Sequence, residues 1–160
     1  MAIAHESPLL FIEDNDDDYE VVLWAMKKLS LSIPITRCID GDEALDYLYH
    51  RQEFAQPGTS PRPALILLDL NLISVDGRDV LQAVKSDPEL RMIPVIIWTS
   101  SEDPKDIDVS FQLGANSYIL KPMNMKQLLG VVETLNKYWF GVAVAPAGDT
   151  LVPLDEKSGA

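Results

Sequence analysis

The sequence predicts an α/β fold, a doubly wound sheet of five parallel strands with helices on both faces. Short apolar runs of four or five residues alternate with stretches in which apolar residues recur at helical spacing, and this alternation occurs five times. The chain has 160 residues, of which 47% are hydrophobic, enough for one substantial core but too few for two ordinary domains. We therefore expect one domain with short appendages.

The elements follow from these runs in order. The predicted strands are Leu9–Ile12, Ile35–Ile39, Ala64–Leu68, Pro94–Trp98 and Ser117–Leu120. Four helices are predicted from apolar residues at helical spacing, which are Val22, Met26 and Leu29, then Ala44, Leu45 and Leu48, then Val80, Leu81 and Val84, and last Leu128, Val132 and Leu135. A shorter helix is predicted at Asp106–Leu113. Ligands of such sheets bind outside the carboxyl ends of the strands.

Three stretches lie outside this alternation. Residues 1–7 form an N-terminal segment, and the domain itself is predicted to span residues 8–140. Residues 51–63 contain Pro57, Pro61 and Pro63 and are predicted to be a loop insertion before the third strand. Residues 141–160 combine glycine and proline with apolar and acidic residues, which is typical of a tail.

Composition excludes several classes of protein. The net charge of −12, from 25 acidic and 13 basic residues, argues against a nucleic-acid partner, because such binding depends on clustered Lys and Arg. Cys38 is the single cysteine, so no intramolecular disulfide can form. The sequence has no apolar run of about 18 residues and no basic start followed by an apolar run. We expect a cytoplasmic protein without a membrane partner.

Carboxylates follow the first and third predicted strands directly. Glu13 and Asp14 come after the first strand and Asp69 after the third, so all three emerge at carboxyl ends that are expected to lie close together. Like charges in one pocket are unstable unless a cation offsets them, and Mg²⁺ fits best, with Mn²⁺ as a second possibility. The alternative is that these acids simply end strands or cap helices, as Asp16 is expected to do.

Two further groups follow the fourth and fifth strands. Thr99 brings a hydroxyl and Lys121 an ammonium to the same edge. Taken singly, Thr99 fits a turn and Lys121 a solvated surface, but together they suit the oxygens of a phosphoryl group. In this setting Asp69 could act as a nucleophile and form an acyl phosphate.

An ordered set of motifs resembles the receiver domains of bacterial two-component response regulators. The resemblance covers roughly residues 8–138. Its motifs are Leu9 to Asp14, Leu67-Leu68-Asp69-Leu70-Asn71, Asp76-Gly77, Thr99-Ser100, Gly114-Ala115 and Lys121-Pro122. The resemblance implies a flavodoxin-like sheet with strand order 2-1-3-4-5. It also implies a signalling phosphoacceptor that assists its own phosphorylation and dephosphorylation, rather than an enzyme.

The resemblance implies roles for the acidic residues. Asp69 would accept the phosphoryl group, and Mg²⁺ would be held by Glu13, Asp14, Asp69 and the backbone carbonyl of Asn71. Glu13 stands where many members of the family have Asp, and its longer side chain should still bind the metal. We expect a domain that can be phosphorylated.

The resemblance also implies a switch. Thr99 and Lys121 would contact the phosphoryl group, and Thr99 and Tyr118 would move when it is attached. The Lys121–Pro122 bond is a candidate cis peptide. The sequence Leu72-Ile73-Ser74-Val75 lacks the Met-Pro usual in its loop, which leaves that turn less defined.

The chain is most similar to the small stand-alone regulators of cyanobacterial phytochrome kinases. This similarity rests on the loop at 51–63, the Leu-Asn-Leu after Asp69, and an aromatic run after the last helix. It implies a phytochrome-type histidine kinase as partner and a homodimer. The predicted dimer or output surface consists of Tyr138, Trp139, Phe140, Val142 and Val144. The alternative is that this segment folds back over its own chain.

Two other functions stay open. A haloacid-dehalogenase-like phosphatase also uses an aspartate at a strand end, but it needs a second Asp where this chain has Asn71. A pseudo-receiver would act as an interaction scaffold and bind no metal. A DNA-binding output is not expected, because the residues after the last helix contain a single lysine, Lys157. Signalling is therefore expected to run through protein contact.

Overall fold

The computed structural model describes residues 7–146 and contains a five-stranded parallel sheet in the order β2-β1-β3-β4-β5. The strands are β1 Leu9–Ile12, β2 Ile35–Cys38, β3 Leu65–Leu68, β4 Val95–Thr99 and β5 Ser117–Leu120. The helices are α1 Asp16–Lys28, α2 Gly41–Leu48, α3 Gly77–Ser86, α4 Pro104–Gln112 and α5 Met125–Lys137. The predicted α/β fold and strand order are confirmed.

Several element boundaries differ from the prediction by one or two residues, among them the end of β4 and the start of α4. Thr99 is the last residue of β4, where it pairs with Leu120 of β5. Helix α4 begins at Pro104, because the Asp103 side chain accepts a hydrogen bond from the Lys105 N–H and proline is favoured in the first turn of a helix. The predicted start at Asp106 is therefore wrong by two residues.

The prediction that Asp16 caps α1 is also wrong. The N-cap is Asn15, whose side chain accepts a hydrogen bond at 2.9 Å from the N–H of Asp18. Asp16 is the first helical residue, and with Asp17 and Asp18 it places negative charge at the positive end of the helix dipole.

Alternate residues of the strands face two separate cores, one on each side of the sheet. One core contains side chains of α2 and α3, and the other contains side chains of α1 and α5. All residues of β1 and β3 are buried, as expected for central strands covered by helices on both faces. The carboxyl ends of these strands can therefore hold side chains rigidly.

The α2–β3 connection is long and is anchored to the domain. It contains a short 3₁₀ turn at Gln52–Phe54. The Tyr47 hydroxyl donates to the Pro61 carbonyl at 2.7 Å, and His50 Nδ1 lies 2.6 Å from the hydroxyl of the buried Ser60. These contacts tie the predicted loop insertion to the end of α2.

Helix α5 continues into a π-helical turn, Tyr138–Val142. Trp139 and Phe140 pack against the core that contains α1 and α5, whereas Tyr138, Val142 and Val144 are exposed. We call residues 138–144 the C-terminal apolar segment. One side of it covers its own chain, and the predicted interaction surface stays a prediction.

The rest of the predicted tail, including Lys157, and nearly all of the predicted N-terminal segment lie outside the described residues. Between residues 7 and 146, no helix has both the length and the apolar character needed to cross a membrane.

Candidate functional site

Backbone hydrogen bonds place three acidic residues at one edge of the sheet. The Glu13 N–H donates to the Cys38 carbonyl of β2 at 3.0 Å, and the Asp69 N–H donates to the Ile12 carbonyl of β1 at 3.1 Å. Carboxylate oxygens of Glu13, Asp14 and Asp69 all lie within 4.8 Å of one another. The predicted convergence of these side chains follows from the parallel pairing of β1 and β3.

Glu13 is the most deeply buried of the three, with an exposed fraction of 0%. Burial, and then the negative charge of Asp69, raise the pKa of Glu13 to about 7 against the opposing effect of Lys121. Its Oε1 accepts a hydrogen bond from the Asn15 N–H at 3.1 Å. Its Oε2 lies 3.0 Å from Lys121 Nζ without hydrogen-bond geometry, and is buried with no other partner in the described structure.

Lys121 lies among the carboxylates. Its Nζ donates to Asp69 Oδ2 at 2.8 Å and to Asp18 Oδ2 at 2.7 Å, in addition to its ion pair with Glu13. Burial lowers the pKa of Lys121, but the hydrogen bonds with Asp18 and Asp69 and the ion pair with Glu13 outweigh it and hold the pKa above the usual value. Lys121 is therefore a permanent cation in the pocket.

The prediction of a cis peptide at Lys121–Pro122 is wrong. No peptide bond in the described residues is cis. The trans form is the intrinsically favoured state of a bond before proline. Lys121 still extends the β4–β5 pairing, since its N–H donates to the Thr99 carbonyl at 2.8 Å.

Thr99 and Tyr118 both contact the β4–α4 loop. Thr99 is fully buried, and its hydroxyl accepts a long hydrogen bond of 3.4 Å from the Ser101 N–H. The Tyr118 hydroxyl donates to the Ser101 carbonyl at 2.8 Å, and burial raises the pKa of Tyr118. The two predicted switch residues are thus connected through Ser101.

A polar network holds the other side of this loop. The Ser101 hydroxyl donates to Asp106 Oδ2 at 2.5 Å, and Arg78 forms an ion pair with Asp106. Hydrogen bonds from Ser101 and Arg78 lower the pKa of Asp106. The network joins the start of α3 to the start of α4.

The β3–α3 loop approaches Asp69 very closely. The Asn71 N–H donates to Asp69 Oδ1 at 3.1 Å, and the Gly77 N–H donates to the Leu70 carbonyl at 2.9 Å. A Cβ at Gly77 would lie 2.2 Å from the Asp69 carbonyl oxygen, so only glycine fits there.

Sequence reasoning missed two residues at this site. Asp18 pairs with Lys121, and Arg37 donates to the Glu13 carbonyl at 3.0 Å. Asp18 lies in the first turn of α1, directly after the short loop that carries Glu13 and Asp14, so its position in the sequence could have indicated it. No sequence signal indicates the contact of Arg37.

The donor set fits a divalent cation with oxygen ligands. The close carboxylates of Glu13, Asp14 and Asp69 supply hard anionic oxygens. Glu13 Oε2 is also a buried oxygen without a hydrogen bond in the described structure. Apart from its ion pair with Lys121, this buried oxygen has no partner in the described structure, and a metal cation would supply one.

Comparison with known proteins identifies the family. A model of the response regulator receiver domain matches residues 9–133. The chain belongs to this family. Receiver domains are signalling modules of two-component systems, so the site belongs to a signalling protein and not to a classical enzyme.

The relatives of this receiver domain include phytochrome response regulators. Response regulator Rcp1 of Synechocystis sp. is 35% identical over 139 residues, 87% of this chain and 92% of Rcp1. A crystal structure of its Mn(2+)-bound form has a TM-score of 0.80, with 35% identity, and the match covers 88% of this chain and 99% of that one. The phosphorylated cyanobacterial phytochrome response regulator RcpA has a TM-score of 0.80 and 37% identity, with coverage of 88% and 99%. The similarity to phytochrome response regulators predicted from the motifs is confirmed.

Proposed function

We propose that this receiver domain accepts a phosphoryl group on Asp69 from a phytochrome-type histidine kinase in the cytoplasm and signals by protein contact. The observation that carries the proposal is the convergence of Glu13, Asp14 and Asp69, with Lys121 Nζ 2.8 Å from Asp69 Oδ2. A nucleophilic carboxylate and a fixed cation beside it are the groups that phosphoryl transfer requires.

In the proposed reaction, an Asp69 carboxylate oxygen attacks the phosphorus of a phosphohistidine. The new O–P bond forms as the P–N bond breaks, and the imidazole of the kinase leaves. Lys121 stabilises the negative charge on the transferred oxygens, and the Thr99 hydroxyl donates to one of them. The same groups assist attack of water on the aspartyl phosphate, so the domain also promotes its own dephosphorylation.

The cation proposed for this site is Mg²⁺. Glu13, Asp14, Asp69 and the Asn71 backbone carbonyl would hold it, and it would neutralise charge on the phosphoryl oxygens when bound. Support comes from the oxygen-only donor set and from Glu13 Oε2, which is buried and accepts no hydrogen bond in the described structure. Mn²⁺ takes similar ligands, and the Rcp1 structure is described as Mn(2+)-bound.

Labelling with acetyl phosphate tests the acceptor. We expect incorporation that needs Mg²⁺ and is abolished in Asp69→Asn. The matched control is Asp17→Asn, which removes an exposed carboxylate from the first turn of α1 and should label like the parent chain. Full labelling of Asp69→Asn would show that Asp69 is not the acceptor, and a parent chain that neither binds Mg²⁺ nor labels would favour the scaffold function.

The phosphatase alternative has a separate test. A haloacid-dehalogenase-like enzyme turns over phosphate monoesters, using an acid two residues after its nucleophile. Here that residue is Asn71, whose N–H donates to Asp69 Oδ1. We expect no turnover of p-nitrophenyl phosphate, and multiple turnover would overturn the receiver mechanism.

We also propose that phosphorylation moves Thr99 and Tyr118 and that the domain forms a homodimer through the C-terminal apolar segment. The hydrogen bond from Tyr118 to Ser101 supports the first part, since any shift of Ser101 must change the contact of Tyr118. The exposure of Tyr138, Val142 and Val144 supports the second. Sizing with and without beryllofluoride and Mg²⁺ tests both, with a change in oligomeric state expected on addition.

A further inference from the structure

Arg37 lies on the edge strand β2, with its side chain turned toward the start of α1. Its backbone is in register with Phe11 of β1, and its side chain is only 17% exposed. A long cationic side chain on an edge strand usually extends into solvent. Its contacts explain why this one does not.

The guanidinium contacts the loop between β1 and α1 at one point and helix α1 at two. Its Nε donates to the Glu13 carbonyl at 3.0 Å, and its Nη1 lies 2.8 Å from Asp16 Oδ1. Its Cζ lies 4.7 Å from the centre of the Tyr19 ring, which is stacked on Phe11 at 5.8 Å. One rigid planar group therefore connects the first residue of the loop to the first turn of α1.

That loop carries two of the three carboxylates of the cation site. Glu13 and Asp14 both belong to it, and Glu13 Oε1 is held by the N–H of Asn15 in the same loop. We infer that Arg37 is a positioning residue for the cation site, which acts by fixing the backbone that carries Glu13 and Asp14. This inference rests on the proposed function, because it assumes that these carboxylates bind a cation.

Removal of Arg37 takes away both its positive charge and its contacts, and these two losses have opposite expected effects on the affinity for the cation. Loss of the positive charge leaves Asp16 unpaired and makes the surroundings more negative, which alone would strengthen cation binding. Loss of the contacts lets the loop move, which alone would weaken cation binding. Residues that orient metal ligands typically contribute about 10–100-fold to metal affinity. A weaker affinity in Arg37→Ala therefore indicates positioning.

The experiment is calorimetric titration of chelator-treated protein with Mg²⁺, together with urea unfolding of each variant. The variants are Arg37→Ala and Arg37→Lys, and the matched control is Arg51→Ala. Arg51 has the same kinds of contact, since it lies 5.0 Å from the Tyr49 ring and 3.3 Å from Asp46, but it follows α2 and contacts no residue of the cation site. The control distinguishes the general effect of removing an arginine with such contacts from the specific effect of removing Arg37 on Mg²⁺ affinity.

We expect the Kd for Mg²⁺ to rise about tenfold in Arg37→Ala. Arg37→Lys should recover part of the loss, because lysine keeps the charge but cannot bond to Glu13 and Asp16 through one planar group. Arg51→Ala should bind Mg²⁺ like the parent chain. If Arg37→Ala does not fold, the Kd of Arg37→Lys for Mg²⁺ is compared with that of the parent chain instead.

An unchanged or lower Kd in folded Arg37→Ala would overturn the inference, even if that variant unfolds at lower urea, because Arg37 would then be merely structural. In that outcome the parent chain still binds Mg²⁺ and the proposed function stands. If the parent chain binds no Mg²⁺, the proposed function fails and this inference fails with it. The two failures are therefore distinguishable.

Discussion

The acidic pocket and the C-terminal apolar segment depart from the usual distribution of side chains in opposite directions. The pocket buries Glu13 and Asp69, with exposed fractions of 0% and 4%, whereas the segment leaves Val142 and Val144 72% and 95% exposed. A buried carboxylate loses its hydration, and an exposed apolar side chain keeps water ordered around it. A cation would offset the cost for the carboxylates, and an apolar surface would offset the cost for the exposed side chains.

The two regions also differ in how firmly they are held. The pocket lies at the ends of two fully buried strands, and hydrogen bonds from the N–H groups of Glu13 and Asp69 to carbonyls of the neighbouring strands fix its backbone. The segment extends from one end of α5 and is anchored through Trp139 and Phe140. A preformed pocket suits chemistry that needs fixed distances, and a one-sided anchor suits a surface that is completed by another molecule.

The largest effect is expected for Lys121→Ala, which leaves Glu13 and Asp69 buried without their ammonium partner. We expect the free energy of unfolding at pH 8 to fall by about 3 kcal/mol in chelator, the usual scale for breaking a buried ion pair. Mg²⁺ should restore most of this loss, because it binds the same carboxylates. Urea unfolding with and without Mg²⁺ measures both effects.

Lys137→Ala is the control for that experiment. Its ammonium pairs with Glu133 at 2.8 Å on the surface of α5, where the side chains are 70% and 48% exposed. A pair of this kind typically contributes less than about 1 kcal/mol. Equal losses in the two variants would mean that the pocket behaves like any surface ion pair.

The next effect concerns the anchored side of the C-terminal apolar segment. Phe140→Ala removes a ring that packs on the core containing α1 and α5. The ring is only partly buried, so we expect a loss of about 2 kcal/mol, below the 3–5 typical of full burial. Urea unfolding measures it, with the exposed Val142→Ala as the comparison. A loss below about 0.5 kcal/mol would show that the segment is not anchored through Phe140.

A change of pH tests the pocket without a mutation. Because the pKa of Glu13 is raised to about 7, its carboxyl is mostly protonated at pH 6 and mostly ionised at pH 8. A metal binds the ionised form, so affinity for Mg²⁺ should fall about tenfold from pH 8 to pH 6. Titration calorimetry at both pH values checks this, with Glu13→Gln as the variant that should lose most of the dependence. An unchanged affinity would mean that Glu13 does not bind the metal or stays ionised at pH 6.

The smallest effect on stability is expected on the exposed side of the segment. The double variant Tyr138→Ser, Val142→Ser should change the free energy of unfolding of the monomer by less than about 0.5 kcal/mol for each site. The same variant should weaken the proposed dimer, measured by sedimentation at several concentrations. A dimer of unchanged affinity would place the interface elsewhere, and a large loss of monomer stability would contradict the exposure of these side chains.

Much of the fold could be predicted because its signals are local. Apolar runs such as Leu65–Leu68 must be buried on both faces, which predicts a parallel sheet, and in a parallel sheet the carboxylates that follow the runs emerge at one edge. The N-cap of α1 is harder to predict, because Asn15 and Asp16 are adjacent and both residue types are equally suited to the N-cap position. Only the backbone angles at the end of the strand distinguish them.

The sequence alone therefore determined the class of fold, the order of its elements and the set of acids around Asp69, because strand and helix periodicity and strand-end position are properties of consecutive residues. Only the tertiary structure decided which groups contact them: Lys121 bonds to Asp18 across 103 positions of sequence, and Arg37 reaches Glu13 across 24. It also divided the C-terminal apolar segment into a packed side and an exposed one. Contacts between distant residues depend on how helices pack on the sheet, and no local pattern encodes that packing.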